Sequence, residues 1–198
     1  MKIYGDAKSG NCYKIKLACE LLQVKYQWID IDILAGNTQT DAFLAKNPNG
    51  KVPVVELDDG RFLAESNAII NYIAHDSDLL PTDAYELALV QQWQSFEQYS
   101  HEPYIAVARF IQKYQGIPES RRQEYSSKHS GGYKALDIME KQLLITPFLA
   151  GNKLTTADIA LYAYTHVAHE GGFDLNRYNA IHDWFKRIEN TPNYVSMG

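Results

Sequence analysis

Apolar and polar positions change rhythm near residue 80. Up to that point short stretches alternate between a period of two and a period of 3.6. Lys2-Ile3-Tyr4 is a brief run ending at Gly5 and reads as a first strand. Residues 12–23 place Ile15, Ala18, Cys19 and Leu22 at helical spacing, with Lys14, Lys16 and Glu20 off that stripe. Residues 24–33 alternate with one slip at Trp28-Ile29 and predict a second strand. Residues 41–46 read as a short helix that has to stop before Asn47-Pro48. Val52-Pro53-Val54-Val55-Glu56-Leu57 and Arg61-Phe62-Leu63-Ala64 flank Asp58-Asp59-Gly60, a hairpin signal. Residues 66–75 put Ala68, Ile69, Tyr72 and Ile73 on one face behind Ser66, an N-cap type of residue. Beyond the linker Asp76-Ser77-Asp78-Leu79-Leu80-Pro81 no strand signal recurs. Residues 84–114, 121–145, 156–169 and 178–190 carry helix-period apolar positions, and Gly131-Gly132 is expected to kink or break the second of these helices.

The order up to residue 80 is β-α-β-α-β-β-α. Strands one and two need a crossover helix and are therefore parallel, while three and four form a hairpin and are antiparallel. This is the thioredoxin-like arrangement. The expected architecture is α/β followed by all-α, with a domain over residues 1–78 and a helical domain over 84–198.

Composition narrows the function classes. The chain has 198 residues with 22% charged, which suits one or two globular domains with a real core. The net charge of −5 is spread as −3 over residues 1–80 and −2 over the rest, without the basic stripe that a nucleic-acid partner requires. No apolar run approaches the length of a membrane span, and Met1-Lys2-Ile3-Tyr4-Gly5 lacks the long apolar core of a signal peptide. The two cysteines, Cys12 and Cys19, lie too far apart along one helix for a bridge, which points to a reducing, cytoplasmic setting. No His, Cys or carboxylate grouping has metal-ligand spacing, so no metal is expected.

Three segments carry candidate chemistry. Pro53 stands where the third strand begins. A cis Val52–Pro53 peptide would turn the Val52 backbone outward toward an extended ligand, and an ordinary trans proline at a strand entrance is the alternative. Ser9-Gly10-Asn11-Cys12 joins strand one to helix one, where free N–H groups and a partial positive charge favour an anion. Ser9 or Asn11 either caps that helix or donates to a sulfur anion. Glu65-Ser66 opens another helix, again either as a cap or as a seat for a carboxylate.

Ser9-Gly10-Asn11-Cys12-Tyr13-Lys14, Asn47-Pro48-Asn49-Gly50-Lys51-Val52-Pro53-Val54 and Glu65-Ser66-Asn67-Ala68-Ile69 closely resemble three signatures of the cytosolic glutathione transferases. The stretch from Leu149 to Ala160 resembles that family's buried capping motif. It also has its own physical reading, with Thr155 as N-cap, Asp158 at N3 and Leu154 and Ile159 as a staple. The resemblance implies glutathione as co-substrate along the first domain. Val52 ahead of Pro53 would pair with the cysteinyl amide. Glu65 and Ser66 would hold the γ-glutamyl end, and Lys51, with Gln39 second to it, would meet the glycyl carboxylate. The thiol would lie near Ser9 and Asn11. The implied activity is attack of the glutathione thiolate on a hydrophobic electrophile, with Tyr104, Val107, Ala108 and Arg109 as second-substrate residues between the domains. A homodimer is implied as well. Glutathione-dependent disulfide reduction, with or without Cys12, and a non-catalytic binding or interaction role are the alternatives. Ser9 standing where a Cys-x-x-Cys motif has its nucleophile argues against an autonomous dithiol oxidoreductase.

Overall fold

The computed structural model describes residues 1–197, and these divide into two compact units. One is Met1–Ser77 together with the chain from Thr191, and the other is Asp78–Asn190.

In the first unit, the strands among the described residues are β1 (Lys2–Gly5), β2 (Gln27–Asp30), β3 (Val54–Glu56) and β4 (Phe62–Ala64), in the sheet order β2-β1-β3-β4. β1 pairs with β2 in parallel and with β3 antiparallel, and β3 pairs with β4 antiparallel. β2 is shorter than the alternation over 24–33 suggests. Its partner in the sheet, β1, ends at Gly5, so the ladder stops where Gly5 meets Asp30. β3 lies inside the sheet, and Pro53 sits just ahead of it, where no ladder bond is asked of its missing N–H.

Helix α1 (Gly10–Leu21) starts at Ser9, whose Oγ accepts the Cys12 N–H at 3.4 Å. Its apolar residues Ile15, Leu17, Ala18 and Cys19 are buried, and so is Lys14, which the helical stripe assigns to the polar side. Helix α2 (Asp41–Leu44) is capped by Thr40 and ends before Asn47-Pro48. Helix α3 (Ser66–Ile73) has Glu65 as its N-cap, with Ser66 one position inside rather than at the cap. The chain from Thr191 joins this unit instead of the helical domain to which the sequence pattern assigns it. Tyr13 Oη donates to the Val195 carbonyl at 2.7 Å and Lys16 Nζ to the Ser196 carbonyl at 3.4 Å. Both bonds are made to backbone oxygens, so no side-chain pattern in that segment announces them.

In the second unit the helical run over 84–114 is continuous but not uniform. α4 (Ala84–Phe96) passes through a wide turn at Glu97–His101 into α5 (Glu102–Arg109), and a second wide turn follows at Phe110–Tyr114. Pro103 lacks the N–H that an α-helical ladder needs, and the widened turn immediately before it absorbs that gap. α6 (Arg122–Leu143) runs unbroken through Gly131-Gly132. The two glycines serve close packing there: the Tyr104 ring lies on Gly131 and the Phe173 ring on Gly132.

α7 (Thr156–Thr165) is buried along its whole length, and α8 (Asn179–Glu189) brings Trp184 to it. The capping box at Thr155 and Asp158 is present. Asp158 Oδ2 accepts from the Thr155 N–H (2.9 Å) and hydroxyl (3.1 Å), and Oδ1 accepts from the Leu149 N–H and Trp184 Nε1, both at 2.9 Å. One carboxylate thus ties the loop before α7, the cap and α8 together. Burial pushes its carboxyl upward, against the pull of these four donors.

Candidate functional site

The residues singled out in the α/β unit fall at the starts of α1 and α3 and in the loop ahead of β3.

At α1 the peptide runs through Ser9 with φ −80° and ψ 126°, an extended N-cap whose own carbonyl accepts from the Tyr13 N–H at 2.9 Å. Ser9 and Asn11 are partly exposed. At α3 the cap residue Glu65 is exposed and has φ 67° with ψ 110°, a backbone conformation that side chains with a Cβ rarely adopt. That conformation presents the first N–H groups of α3, including that of Ser66, at a helix terminus with its partial positive charge.

The two helix starts are joined. Ser66 Oγ donates to Asn11 Oδ1 at 3.1 Å. On the inner side Lys14 Nζ lies 3.2 Å from Ser66 Oγ and 3.4 Å from Asn67 Oδ1. The Ser66 hydroxyl is therefore engaged within the protein, and its backbone N–H lies at the first turn of α3.

The loop ahead of β3 is braced from within. Asn47 Nδ2 donates to the Lys51 carbonyl at 2.7 Å, while its Oδ1 accepts from the Asn49 N–H at 3.1 Å. Gln39 Nε2 donates to the Gly50 carbonyl at 3.1 Å and to Thr38 Oγ1 at 3.2 Å. Gly50 has φ 62°, a conformation that favours glycine, and a Cβ there would come within 2.6 Å of Gln39 Nε2 and displace that amide. The Lys51 side chain is exposed. The Val52–Pro53 peptide is cis, and among the described residues the Val52 N–H and carbonyl make no hydrogen bond.

Asn11 and Ser66 are thus brought into contact, and Gln39 is brought to the loop that carries Lys51, Val52 and Pro53. Gln39 uses its amide on the Gly50 carbonyl, which makes it a brace for that loop. In the helical unit Arg109 is buried, with Nε donating to Glu170 Oε2 at 2.6 Å, and Lys113 also bonds to Glu170. That ion pair accounts for Arg109 inside the helical core and withdraws it from the second-substrate set. Tyr104 is partly buried, with its ring against Gly131.

Cys12 and Cys19 are free and buried, and burial pushes both thiols up to about 12, Cys12 in spite of its bond with Ser9. Neither is a ready nucleophile at neutral pH. Among the described residues no group of three His, Cys, Asp or Glu is arranged to hold a metal, and no helix is long and apolar enough to cross a membrane.

Sequence reasoning missed Lys14, which it placed off the apolar stripe of helix one. The signal available was its position one turn into α1, three residues after Asn11, which aims the side chain along the same helix flank.

A thioredoxin-like unit with a cis-proline loop, followed by an all-helical unit, defines the fold class. Residues 9–76 match the family model for the glutathione S-transferase N-terminal domain, and residues 93–192 match that for the C-terminal domain. A solved glutathione S-transferase from Pseudomonas fluorescens Pf-5 is 62% identical, with a TM-score of 0.97 over 99% of this chain and 98% of that one. Glutathione S-transferase F13 of Arabidopsis thaliana is 31% identical over 211 residues, 100% of this chain and 94% of the relative. Elongation factor 1-gamma of Artemia salina is 30% identical over 174 residues, 85% of this chain but 40% of that protein, so the chain spans under half of that relative. The chain belongs to the glutathione S-transferase family.

Proposed function

We propose that the protein is a glutathione transferase that binds glutathione along its α/β unit and activates the thiolate for attack on an electrophilic small molecule. The observation that carries this reading is the Ser66–Asn11 hydrogen bond, which joins an anion-favouring helix start to the helix start where a thiol would sit. In this reading the Ser66 N–H and Glu65 take the γ-glutamyl end, the Val52 backbone takes the cysteinyl amide, and Lys51 takes the glycyl carboxylate. Pro53 keeps the Val52 groups turned out of the sheet, and Gln39 steadies the loop.

The protein supplies no nucleophile of its own. A hydrogen bond from Ser9 or Asn11, together with the partial charge at the start of α1, holds the sulfur as its anion. Each unit by which the thiol pKa falls corresponds to about 1.4 kcal/mol. The thiolate lone pair forms a carbon–sulfur bond as the electrophile's leaving group departs with its electrons, or as a strained ring opens onto its own oxygen.

The high pKa of Cys12 argues against disulfide exchange through that residue, so glutathione-dependent disulfide reduction would run through glutathione's own sulfur. The likeness to elongation factor 1-gamma favours an interaction role as the second reading, set against the retention of Ser9, Lys51, Pro53, Glu65 and Ser66. We also propose a homodimer, to be tested by sedimentation.

The deciding experiment is calorimetric binding of glutathione, followed by conjugation assays with halogenated aromatics and epoxides on the wild type, Ser9→Ala and Asn11→Ala. The expected result is micromolar to millimolar binding, with a thiol pKa that rises and a kcat that falls in one of the two variants. An unaltered pH–rate profile in Ser9→Ala assigns the donor to Asn11. Absence of glutathione binding by the wild type refutes the transferase reading and leaves the interaction role.

A further inference from the structure

Between α1 and the edge strand β2 the first unit holds a cavity of about 260 Å³, lined by none of the residues proposed to hold glutathione. Two periodicities build its walls. Tyr26, Trp28 and Asp30 alternate along the chain into β2 and so share one face of it. Tyr13 and Lys16, three residues apart on α1, share one flank of that helix, while Lys14 turns from another flank to Ser66. The Trp28 ring is set against Gly5, where a Cβ would stand 2.9 Å from Trp28 Cη2. In the sheet β1 lies between β2 and β3, which keeps this cavity apart from the loop carrying Val52 and Pro53.

The polar protons of the three rings are already committed. Tyr13 Oη donates to the Val195 carbonyl at 2.7 Å, Tyr26 Oη to Glu20 Oε1 at 2.8 Å and Trp28 Nε1 to Asp30 Oδ1 at 2.7 Å. What the rings offer a ligand is apolar surface and the negative charge of their faces, which attracts organic cations. Asp30 adds a carboxylate whose Oδ2 takes no hydrogen bond from the described residues. Lys16 adds an ammonium with three protons, one of them used on the Ser196 carbonyl at 3.4 Å. Among the described residues these two charges form no ion pair with each other. Opposite charges held apart on one ring-lined wall match a ligand that carries both signs. The volume lies below the range of about 300–1,000 Å³ that drug-sized ligands occupy, so the occupant is small.

We propose that this cavity is a second ligand site for a small zwitterion, whose organic ammonium lies against the rings and Asp30 and whose acid group meets Lys16. It stands independently of the glutathione reading.

The test titrates γ-butyrobetaine, which carries both charges, against choline, which carries the ammonium alone, and butyrate, which carries the acid alone. Binding is followed by calorimetry and tryptophan fluorescence in dilute phosphate buffer, on wild type, Asp30→Asn, Lys16→Gln and Trp28→Phe. Asp30→Asn keeps an acceptor for Trp28 Nε1 and Lys16→Gln keeps a donor for Ser196, so each removes a charge and spares the fold. The expected result is millimolar binding of γ-butyrobetaine by the wild type, with choline and butyrate weaker. Asp30→Asn and Lys16→Gln each weaken γ-butyrobetaine about fivefold to tenfold, and Lys16→Gln leaves choline unchanged. The fluorescence change disappears in Trp28→Phe; should that variant fail to fold, the two charge variants decide the question. Saturating glutathione leaves the affinity as it was. Absence of saturable binding overturns the proposal, as does undiminished affinity in Asp30→Asn or in Lys16→Gln. Choline binding as tightly as γ-butyrobetaine also overturns it, and so does displacement by glutathione, which would put the zwitterion in the glutathione cradle.

Discussion

Replacing Asp158 by alanine removes the acceptor shared by the Leu149 N–H, the Thr155 N–H and hydroxyl, and Trp184 Nε1. The carboxylate has no solvent exposure, so the three N–H donors are left in a dry interior. Each stranded donor costs about 1–3 kcal/mol. Water entering the vacated space recovers part of that, leaving a loss of about 4 kcal/mol. For a chain of this length, 1 kcal/mol shifts Tm by roughly 2–4 °C, so the variant should melt roughly 8–16 °C lower. Asp158→Asn keeps the volume but turns one oxygen into a donor facing donors, and should lose about half as much. The assay is thermal unfolding followed by circular dichroism and tryptophan fluorescence, with glutathione affinity measured on the folded variant. That affinity should be unchanged, because none of the groups Asp158 binds belongs to the glutathione set. An Asp158→Ala melt within about 2 °C of wild type would refute the reasoning. A large affinity loss in a well-folded variant would refute the assignment of Asp158 to stability alone.

Three further expectations rest on the same packing. Cys12 and Cys19, buried with thiols raised to about 12, should resist alkylation in the native protein at neutral pH, and Cys12→Ala should keep its glutathione-dependent activity; mass spectrometry after iodoacetamide treatment reads the first. Gly132→Ala should destabilise by about 1–2 kcal/mol in urea, although alanine is the better helix former, because its Cβ would come within 2.5 Å of Phe173 Cζ. Acid should weaken the fold in two stages. Burial lowers His166 from 6.5 to about 4, so the unfolded chain binds the extra proton and about 3 kcal/mol is lost as pH falls through that window; His166→Gln should flatten it in urea midpoints taken at several pH values. For Glu170, burial raises the carboxyl but the bonds from Lys113 and Arg109 outweigh it and hold it below its ordinary value. Its contribution, present above the ordinary carboxylate range, is therefore lost only as pH falls through that lower value.

Much of this was legible in the chain because the signals are local. The rhythm of apolar positions marks β1, α1, the β3–β4 hairpin and the helices after residue 80, and the spacing of Thr155 and Asp158 marks the capping box. Proline and glycine at 48, 50 and 53 mark the braced loop, since their backbone demands hold in any context. What the chain alone left open are matters of partnership. The length of β2 depends on where β1 ends. Gly131-Gly132 reads as a helix breaker until the rings of Tyr104 and Phe173 press against it. Arg109 reads as a ligand-facing cation until Glu170, 61 residues further on, takes it. Lys14 lies off the apolar stripe of α1, yet α3 packs across α1 and brings Ser66 and Asn67 to its amino group. Periodicity reports how a residue relates to its own helix or strand. Burial of a charge, and what neutralises it, is decided by the element that arrives from elsewhere in the chain.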